Sequence, residues 1–393
     1  MSPAVADVEG AVAAVAAGWK GDRPARQARR HLEQADFDAL RDAGFLQLVV
    51  PEAMGGAWRS VPESTRGVAG VLRTLAGADP SVALVSSMHP AVLGFWLAPP
   101  DPGRDAWTAQ RDAVCKTARD GMQWGTITSE PGSGGDIART KSVATSDDAA
   151  DAALPGSMYR VSGDKHFGSG SGVTSFMITT AVPGDDDKPA IFALDVRGRP
   201  WDGSAGLQLV AEWDGAGMAA TQSHAMRLDE CPAVRMAWDG PIEEITMAAG
   251  PLVTNLFTGV VLGILDEAVA TARAQLAPKA AGMRAYEQVE WARAELEHWM
   301  AVQAFEGSLR AVESGDPVRG LYAGIRAKQG VAELAESCLS RITRVIGGGS
   351  FARRSPFSSW YEDVRALGFL RPPWGLAYDN LFASSFLETA TWA

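Results

Sequence analysis

The chain has 393 residues, 46% of them hydrophobic and 21% charged, and a formal net charge of −11. This length exceeds a single simple core, so we expect two or three packed modules. The acidic balance argues against a nucleic-acid surface, which needs a basic stripe. No unbroken apolar run reaches the length of about 18 residues that a membrane span requires.

The N-terminal stretch and the cysteines bear on location. Residues 1–18 are rich in alanine and include Asp7 and Glu9, so they lack the basic region that opens a secretory signal. The three cysteines lie far apart and give neither a metal-ligand spacing nor an even disulfide framework. We therefore expect a cytoplasmic protein without a metal site.

Residues 1–122 are predicted to form an N-terminal helical domain. Apolar side chains recur at helical spacing between Phe37 and Leu46 and again between Val68 and Leu75. Residues 51–56 and 99–103, rich in glycine and proline, are predicted to be a turn and a surface loop.

Residues 123–241 are predicted to form a small β-domain. Phe176–Val182 and Ala190–Val196 are β-branched or aromatic runs bounded by turn residues, as expected of strands. Shorter strands are predicted at Tyr159–Val161 and Leu207–Val210.

Residues 242–393 return to helical spacing. Apolar positions predict helices over 252–265, 291–305 and 331–345, the last ending at three glycines, and a fourth helix past Trp374. Long helices joined by short loops favour an antiparallel four-helix bundle. The apolar faces of the first and third helices are wider than one core-facing stripe needs, so we expect a homodimer or homotetramer assembled through this bundle.

Five motifs, in order along the chain, carry a resemblance to a known family. They are AGF with VPE and GG between 43 and 56, TSEPGSGGD at 128–136, VSGDKHF at 161–167, VIGGG at 345–349 and YED at 361–363. Together they resemble the acyl-CoA dehydrogenase superfamily. The resemblance implies an α+β fold with an N-terminal helical domain, a middle β-barrel domain and a C-terminal four-helix bundle, and a flavin-dependent oxidoreductase.

The glycine-rich segment 129–135 can bring backbone N–H groups close to a ligand, although taken alone it is more readily a surface turn. The resemblance assigns Thr126, Thr128 and Ser129 to the pyrimidine side of a flavin. By the same resemblance, the glycine motif at Gly347 and Gly348 belongs to the cofactor site.

Phe167 and Ser169 stand where the family has a Trp-x-Thr element. The resemblance therefore implies that the Phe167 ring packs on the flavin and that the Ser169 hydroxyl lies near flavin N5. From spacing alone, Phe167 is a core residue and Ser169 a turn residue.

A dehydrogenase of this family needs a carboxylate base. The position that usually holds it is Arg371 here, and an arginine cannot act as a base at pH 7. The alternative position falls within residues 247–251, which contain no carboxylate, while Glu243 and Glu244 are expected to be a solvated helix start. Asp379 and Glu362 remain as relocated bases.

A second departure concerns the cofactor. The family's arginine for the flavin diphosphate is missing from residues 277–284, although Arg273, Lys279 or Arg284 can substitute. Both FAD and FMN supplied in reduced form therefore remain open.

A third departure points to a branch of the family. Residues 165–171 and 217–223 resemble segments of its flavin-dependent monooxygenases, which take reduced flavin from a partner reductase, react with O2 and often use a His and a Ser near the ring. His89 is the candidate histidine, with a packed or capping role equally open. Arg371 can hold a substrate carboxylate or anionic reduced flavin, or it turns outward to solvent or Glu362.

Three functions compete. A monooxygenase that acts on a small apolar or aromatic molecule, with His89, Ser169 and Arg371 as candidate catalytic residues, is narrowly favoured. The alternative is a dehydrogenase that takes an acyl-CoA or acyl-carrier-protein thioester and passes electrons to an electron-transfer flavoprotein. A flavin-less binding protein is disfavoured by the intact glycine-rich loop and by Ser169.

Overall fold

The computed structural model describes residues 3–147 and 153–386. Six helices precede the first strand, and the fourth and fifth begin at side-chain caps: Ser60 accepts from the Glu63 N–H and Asp79 accepts from the Val82 N–H. The helices are α1 Pro3–Lys20, α2 Arg23–Ala28, α3 Gln34–Asp42, α4 Val61–Ala76, α5 Pro80–Leu97 and α6 Asp105–Arg119.

Seven strands follow. They are β1 Trp124–Thr126, β2 Val143–Ser146, β3 Met158–Gly168, β4 Phe176–Pro183, β5 Ala190–Asp195, β6 Leu207–Ala211 and β7 His224–Arg235. Strands β4, β2, β3, β7 and β5 pair in that order, and β5 pairs again with β4, so that these five strands close a barrel. Strand β1 pairs with β4, and β6 pairs with β7. The four strands predicted from the sequence coincide with parts of β3, β4, β5 and β6, although β5 ends at Asp195, one residue before the predicted end.

Strand β4 is buried on both faces because one face lines the barrel interior and the other packs on helices. Met177 and Ala181 belong to the barrel core, whereas Phe176 and Ile178 belong to the main core. This alternation follows from the two-residue period of a strand. The outer face of β4 thereby becomes a wall between the barrel and the helical parts.

Five helices complete the described chain. They are α7 Ile242–Leu276, α8 Ala285–Glu313, α9 Pro317–Ile346, α10 Phe357–Val364 and α11 Trp374–Ser384. Helices α7, α8 and α9 are long and follow each other through short connections. The predicted fourth helix begins at Trp374 and extends for 11 residues.

Helix α7 lies at the centre of the molecule, and two glycines permit α4 to approach it closely. A Cβ at Gly263 would lie 2.0 Å from the Arg73 carbonyl oxygen, and one at Gly259 would lie 2.8 Å from that of Ala69. The wide apolar surface of α7 between Leu252 and Leu265 is therefore covered within one chain. Its breadth, from which we expected an oligomer, is explained by intrachain packing.

In the part of the chain that the structure describes, two helices are long and apolar enough to cross a membrane, within Pro80–Leu97 and Ile242–Gly282. In both, 83% of the apolar window is buried inside the protein, as in core helices of soluble folds.

Candidate functional site at the junction of barrel and helices

A cavity of about 390 Å³ lies where the barrel, the N-terminal helices and the C-terminal helices meet. Helix α5 contributes Met88, Ala91, Val92 and Phe95, which recur at the spacing of one helical face. Helix α7 contributes another such face, which runs from Glu243 to Phe257. The walls are mostly apolar, which is typical of a small-molecule site.

Hydroxyl groups form the barrel side of this cavity. Thr126 ends β1, Thr128 follows it, and their side-chain oxygens lie 3.3 Å apart. Thr180 of β4 lines the same wall. The Ser129 carbonyl accepts from the His166 N–H at 2.8 Å, so the glycine-rich loop lies beside the end of β3.

Phe167 presents its ring at this barrel end in an unusual backbone conformation. Its φ is +59°, a region that a bulky residue rarely adopts. The side chain is 56% exposed, with its ring edge-to-face against Trp213 at 6.0 Å. Phe167 is not part of the cavity lining, but an exposed apolar ring is suited to stacking on a flat heterocycle.

Ser169 follows on the same turn and is buried. Its Oγ lies 2.8 Å from the Ser223 Oγ, which in turn lies 2.7 Å from the Thr221 Oγ1. Thr221 and Ser223 belong to the segment that we compared with a monooxygenase motif. The structure thus joins the two segments of the third departure through side-chain hydrogen bonds.

Arg371 lines the cavity and points to the glycine-rich loop. Its guanidinium donates to the Thr128 Oγ1 at 2.8 Å and to the Ser129 Oγ at 3.3 Å. Burial lowers the pKa of Arg371 to about 10, against an opposing effect of Asp136, so the group is charged at pH 7. Arg371 therefore does not turn outward to Glu362, which pairs instead with Arg365 at 2.7 Å.

His89 lies in the core and not on the cavity. It follows Met88 on α5, so its side chain points about 100° away from the cavity-facing side. Its Nδ1 accepts from the Trp124 backbone N–H at 3.1 Å. Burial lowers the pKa of His89 to about 3, so the ring is neutral. This is the packed role that the sequence left open.

Gly347 and Gly348 lie at the C-terminal end of α9, outside the cavity lining. A Cβ at either glycine would meet nothing within 4 Å. Within one chain the structure does not bring them to Thr126 and Arg371.

The two relocated bases also lie outside the cavity. Asp379 is exposed, and Glu362 is held by Arg365. Two carboxylates belong to the described lining: Asp136, which accepts from the Ala138 N–H, and Glu243. We expected Glu243 to be only a solvated helix start, but it begins the cavity face of α7 and is exposed at the lining.

A buried ion pair that was not predicted from the sequence supports the glycine-rich loop. Lys165 Nζ lies 2.5 Å from the Glu130 Oε1 and donates to the Thr180 carbonyl at 2.6 Å. Burial favours neutral Glu130, but hydrogen bonds from Lys165, Thr140 and Lys141 outweigh it and hold the pKa of Glu130 at about 2. Glu130 lies in the TSEPGSGGD motif and Lys165 in the VSGDKHF motif, so the two motifs were the signal by which the sequence could have indicated the pair.

A second buried lysine supports the segment that carries Arg371. Lys328 of α9 donates to the Pro372 carbonyl at 2.8 Å and to the Gln329 side chain at 3.3 Å. Burial lowers the pKa of Lys328 to about 7. Nothing in the local sequence of α9 distinguishes this lysine from a solvated one.

These groups fit a flavin. Within the cavity, the hydroxyls of Thr126 and Thr128 offer hydrogen bonds to a heterocycle and Arg371 offers a fixed positive charge. Phe167, with its exposed ring, and buried Ser169 lie outside the lining, at the end of β3 beside the glycine-rich loop. Reduced flavin is readily anionic, so a cation beside hydroxyl groups suits it.

No protein-family profile matches the chain. Among curated proteins, the amino sugar nitrososynthase DnmZ of Streptomyces peucetius is 25% identical over 362 residues, 86% of this chain and 82% of that protein. The probable FMNH2-dependent monooxygenase SfnC of Pseudomonas putida is 28% identical over 254 residues, 62% of this chain and 56% of that protein. Both of these relatives are flavin enzymes.

Among solved structures, FMN-bound TdsC from Paenibacillus sp. A11-2 superposes with a TM-score of 0.76 and is 19% identical, over 95% of each chain. This likeness establishes the fold. Barrel, helices and junctional site together define a flavin-dependent oxidoreductase. The relatives and structural neighbours of this chain are acyl-CoA dehydrogenase-like flavin enzymes, monooxygenases among them, and the chain shares their fold.

Proposed function

We propose that this protein is the oxygenase component of a two-component monooxygenase, which receives reduced FMN from a separate reductase and oxidises a small apolar or aromatic molecule with O2. Arg371 carries the proposal: a permanent cation, hydrogen-bonded to Thr128, occupies the position where a dehydrogenase of this fold holds its base.

The two bases on which the dehydrogenase alternative relies lie away from the cavity. Removal of a proton beside a thioester carbonyl needs a carboxylate within hydrogen-bond reach. Asp379 and Glu362 lie outside the cavity lining. Asp136 caps the turn that it begins, and Glu243 is exposed. A monooxygenase needs no such base, so the same residues are compatible with it.

Six residues would hold the flavin. Thr126, Thr128 and Ser129 would bind its polar edge, and Phe167 would stack on its ring. Ser169 would meet the ring nitrogen that the family places near this position, and Arg371 would neutralise anionic charge. When bound, reduced flavin supplies the electrons that activate O2.

FMN is favoured over FAD by the relatives and by the sequence. SfnC is named as FMNH2-dependent, and TdsC binds FMN. The Arg-Phe-Gly element that usually contacts the FAD diphosphate is absent from residues 277–284, which hold Arg284 as a candidate substitute. A mononucleotide removes the need for that contact.

The substrate class is supported by the cavity walls. Met88, Val92, Phe95, Phe257 and Leu376 are apolar, and Arg371 is the only cation among the described residues of the lining. TdsC has been crystallised with FMN and indole. Apolar walls of this kind suit a bicyclic aromatic molecule.

Oxidation of an amine nitrogen is a second candidate. It is favoured by DnmZ, an amino sugar nitrososynthase that aligns with 86% of this chain. Glu243, exposed at the cavity lining, offers a carboxylate that can bind an amine. The two candidates differ in the atom that gains oxygen. This atom is carbon or sulfur in an apolar or aromatic substrate and nitrogen in an amine.

The test supplies the protein with chemically reduced FMN and ¹⁸O₂ in the presence of indole or of an amino sugar nucleotide. We expect one labelled oxygen atom in the indole product, seen by mass spectrometry, and none when the protein is omitted. Label in the amino sugar alone would select the second candidate. Absence of label in both, with reduced FMN bound, would contradict the monooxygenase proposal.

A further inference from the structure

Three buried hydroxyl groups form a continuous hydrogen-bonded chain that starts at Ser169. The Ser169 Oγ lies 2.8 Å from the Ser223 Oγ, and the Ser223 Oγ lies 2.7 Å from the Thr221 Oγ1. The chain ends at the Met218 carbonyl oxygen, 2.9 Å from the Thr221 Oγ1. None of the three side chains is more than 7% exposed.

The direction of this chain follows from its last member. A carbonyl oxygen can only accept, so Thr221 donates its single hydroxyl hydrogen to Met218. The Ser223 hydroxyl must then donate to Thr221, and Ser169 must donate to Ser223. With all three bonds made, Ser169 has given up its hydrogen and retains only lone pairs.

The acceptor at the end of the chain is firmly placed. The Met218 N–H donates to the Asp363 carboxylate at 2.6 Å, and the Met218 carbonyl also accepts from the Trp213 Nε1 at 3.0 Å. A Cβ at Gly217 would lie 2.2 Å from the Glu362 carbonyl oxygen, so this loop packs directly on α10. The fold therefore fixes the carbonyl that sets the polarity.

The polarity matters because oxidised and reduced flavin differ at N5. That nitrogen is an acceptor in the oxidised ring and bears a hydrogen in the reduced ring. We infer that Thr221 and Ser223 act as positioning residues that hold Ser169 as an acceptor, so that the site prefers reduced over oxidised FMN. This inference rests on the proposed function and on the family's placement of Ser169 near N5.

Oxidised flavin would meet the opposite requirement. Donation from Ser169 to N5 requires Ser223 to donate to Ser169 and Thr221 to donate to Ser223. The contact between Thr221 and the Met218 carbonyl would then lack a hydrogen. The oxidised cofactor loses one hydrogen bond relative to the reduced cofactor, and this is the source of the preference.

Thr221→Val and Ser223→Ala test the inference, because each frees Ser169 to donate. The dissociation constants of FMN and of chemically reduced FMN are measured anaerobically for each variant and for wild type. We expect the ratio of the oxidised to the reduced dissociation constant to fall roughly 3- to 10-fold in both variants. Mere loosening of the site would weaken both forms equally and leave the ratio unchanged.

Thr65→Val is the matched control. Thr65 is a buried threonine of α4 whose hydroxyl donates to the Val61 carbonyl, outside this chain and outside the cavity lining. The ratio of the oxidised to the reduced dissociation constant should be the same for Thr65→Val as for wild type. An unchanged ratio in both test variants, or an equal fall in Thr65→Val, would overturn the inference while leaving the proposed function standing. A wild type that binds neither form of FMN would instead overturn the proposed function.

Discussion

At the scale of single residues, Arg371 joins the cavity to the glycine-rich loop through Thr128 and Ser129. Arg371→Met removes the cation and both donors. Hydrogen bonds to charged groups contribute about 1.5–3 kcal/mol, so we expect reduced FMN to bind about 10- to 100-fold more weakly. Anaerobic fluorescence titration measures this. Arg365→Met, which removes an exposed partner of Glu362, is the control and should bind like wild type.

Arg371→Glu gives a different expectation. Although it restores a carboxylate at the family's base position, we expect no acyl-CoA dehydrogenase activity, because residues 370–372 read Leu-Arg-Pro where the family has Tyr-Glu-Gly. An assay with a saturated acyl-CoA and an artificial electron acceptor checks this. Turnover by Arg371→Glu would show that only the base separates the two activities.

Ser169→Ala should reduce turnover more than stability. Removal of a hydroxyl whose partners remain costs roughly 1–3 kcal/mol at the site, equivalent to a 5- to 150-fold effect on the step it serves. Thermal unfolding and turnover are measured on the same preparation. Unchanged turnover and unchanged FMN affinity would remove Ser169 from the site.

Sequence reasoning located some site residues better than others. Thr126, Thr128 and Arg371 were predicted from aligned motifs, and they meet because β1 and the segment before α11 border one cavity. His89 was a candidate catalytic residue but does not face the cavity. Its motif, SSMHP, does not indicate which face of α5 borders the cavity. Lys328 was missed because burial of a lysine depends on partners distant in sequence, here Pro372.

At the scale of structural elements, the Glu130–Lys165 pair ties the glycine-rich loop to β3. Lys165→Met leaves the Glu130 carboxylate buried without its cation, which typically costs about 3–5 kcal/mol. We expect the free energy of unfolding, measured by urea denaturation, to fall by that order. Arg227→Met, which breaks the exposed pair with Asp164, is the control and should cost less than about 1 kcal/mol.

Asp363 of α10 makes the stability of the protein depend on pH. Burial raises the pKa of Asp363 to about 7, with Asp79 and Glu362 adding to the rise and the Met218 N–H opposing it. The pKa of Asp363 is higher in the folded than in the unfolded protein. The protonated carboxyl therefore contributes its full stabilisation of the fold below about pH 4, and this contribution is lost as the pH rises through 7. Asp363→Asn should therefore stabilise the protein above pH 7, by roughly 2–4 kcal/mol, and not at pH 4.

The check is the melting temperature of wild type and Asp363→Asn between pH 4 and 9. Asp379→Asn, which changes an exposed carboxylate, serves as control. Parallel curves for wild type and Asp363→Asn would contradict the assigned pKa. The periodicities predicted helices and strands but not α10, and a hydrogen bond between α10 and the 217–223 loop joins residues 145 positions apart and leaves no local signal.

At the scale of the whole molecule, we still expect a homodimer or homotetramer, although for a reason that the sequence did not offer. Large apolar side chains are exposed along α8: Tyr286, Val289, Leu296, Trp299 and Met300. An exposed apolar surface of this kind typically marks a protein interface. The α7 surface that first suggested an oligomer is covered by α4, α5 and α9.

Trp299→Glu, which places a charge on this surface, should shift the protein toward monomer in light scattering at micromolar concentration. Val210→Glu, an equally exposed apolar position on β6, is the control and should leave the assembly unchanged. A monomeric wild type would contradict the expectation.

The central claim, that this fold is used here for oxygenation and not for dehydrogenation, is tested most directly by an anaerobic titration. The protein is loaded with oxidised flavin and mixed with saturated acyl-CoAs of increasing chain length while the visible flavin band is recorded. Because the position of the base holds Arg371, we predict no loss of the flavin band with any thioester. Bleaching by any of them in the absence of O2 would contradict the account, and Glu243 and Asp136, the two carboxylates of the described lining, would be the first residues to test as the base.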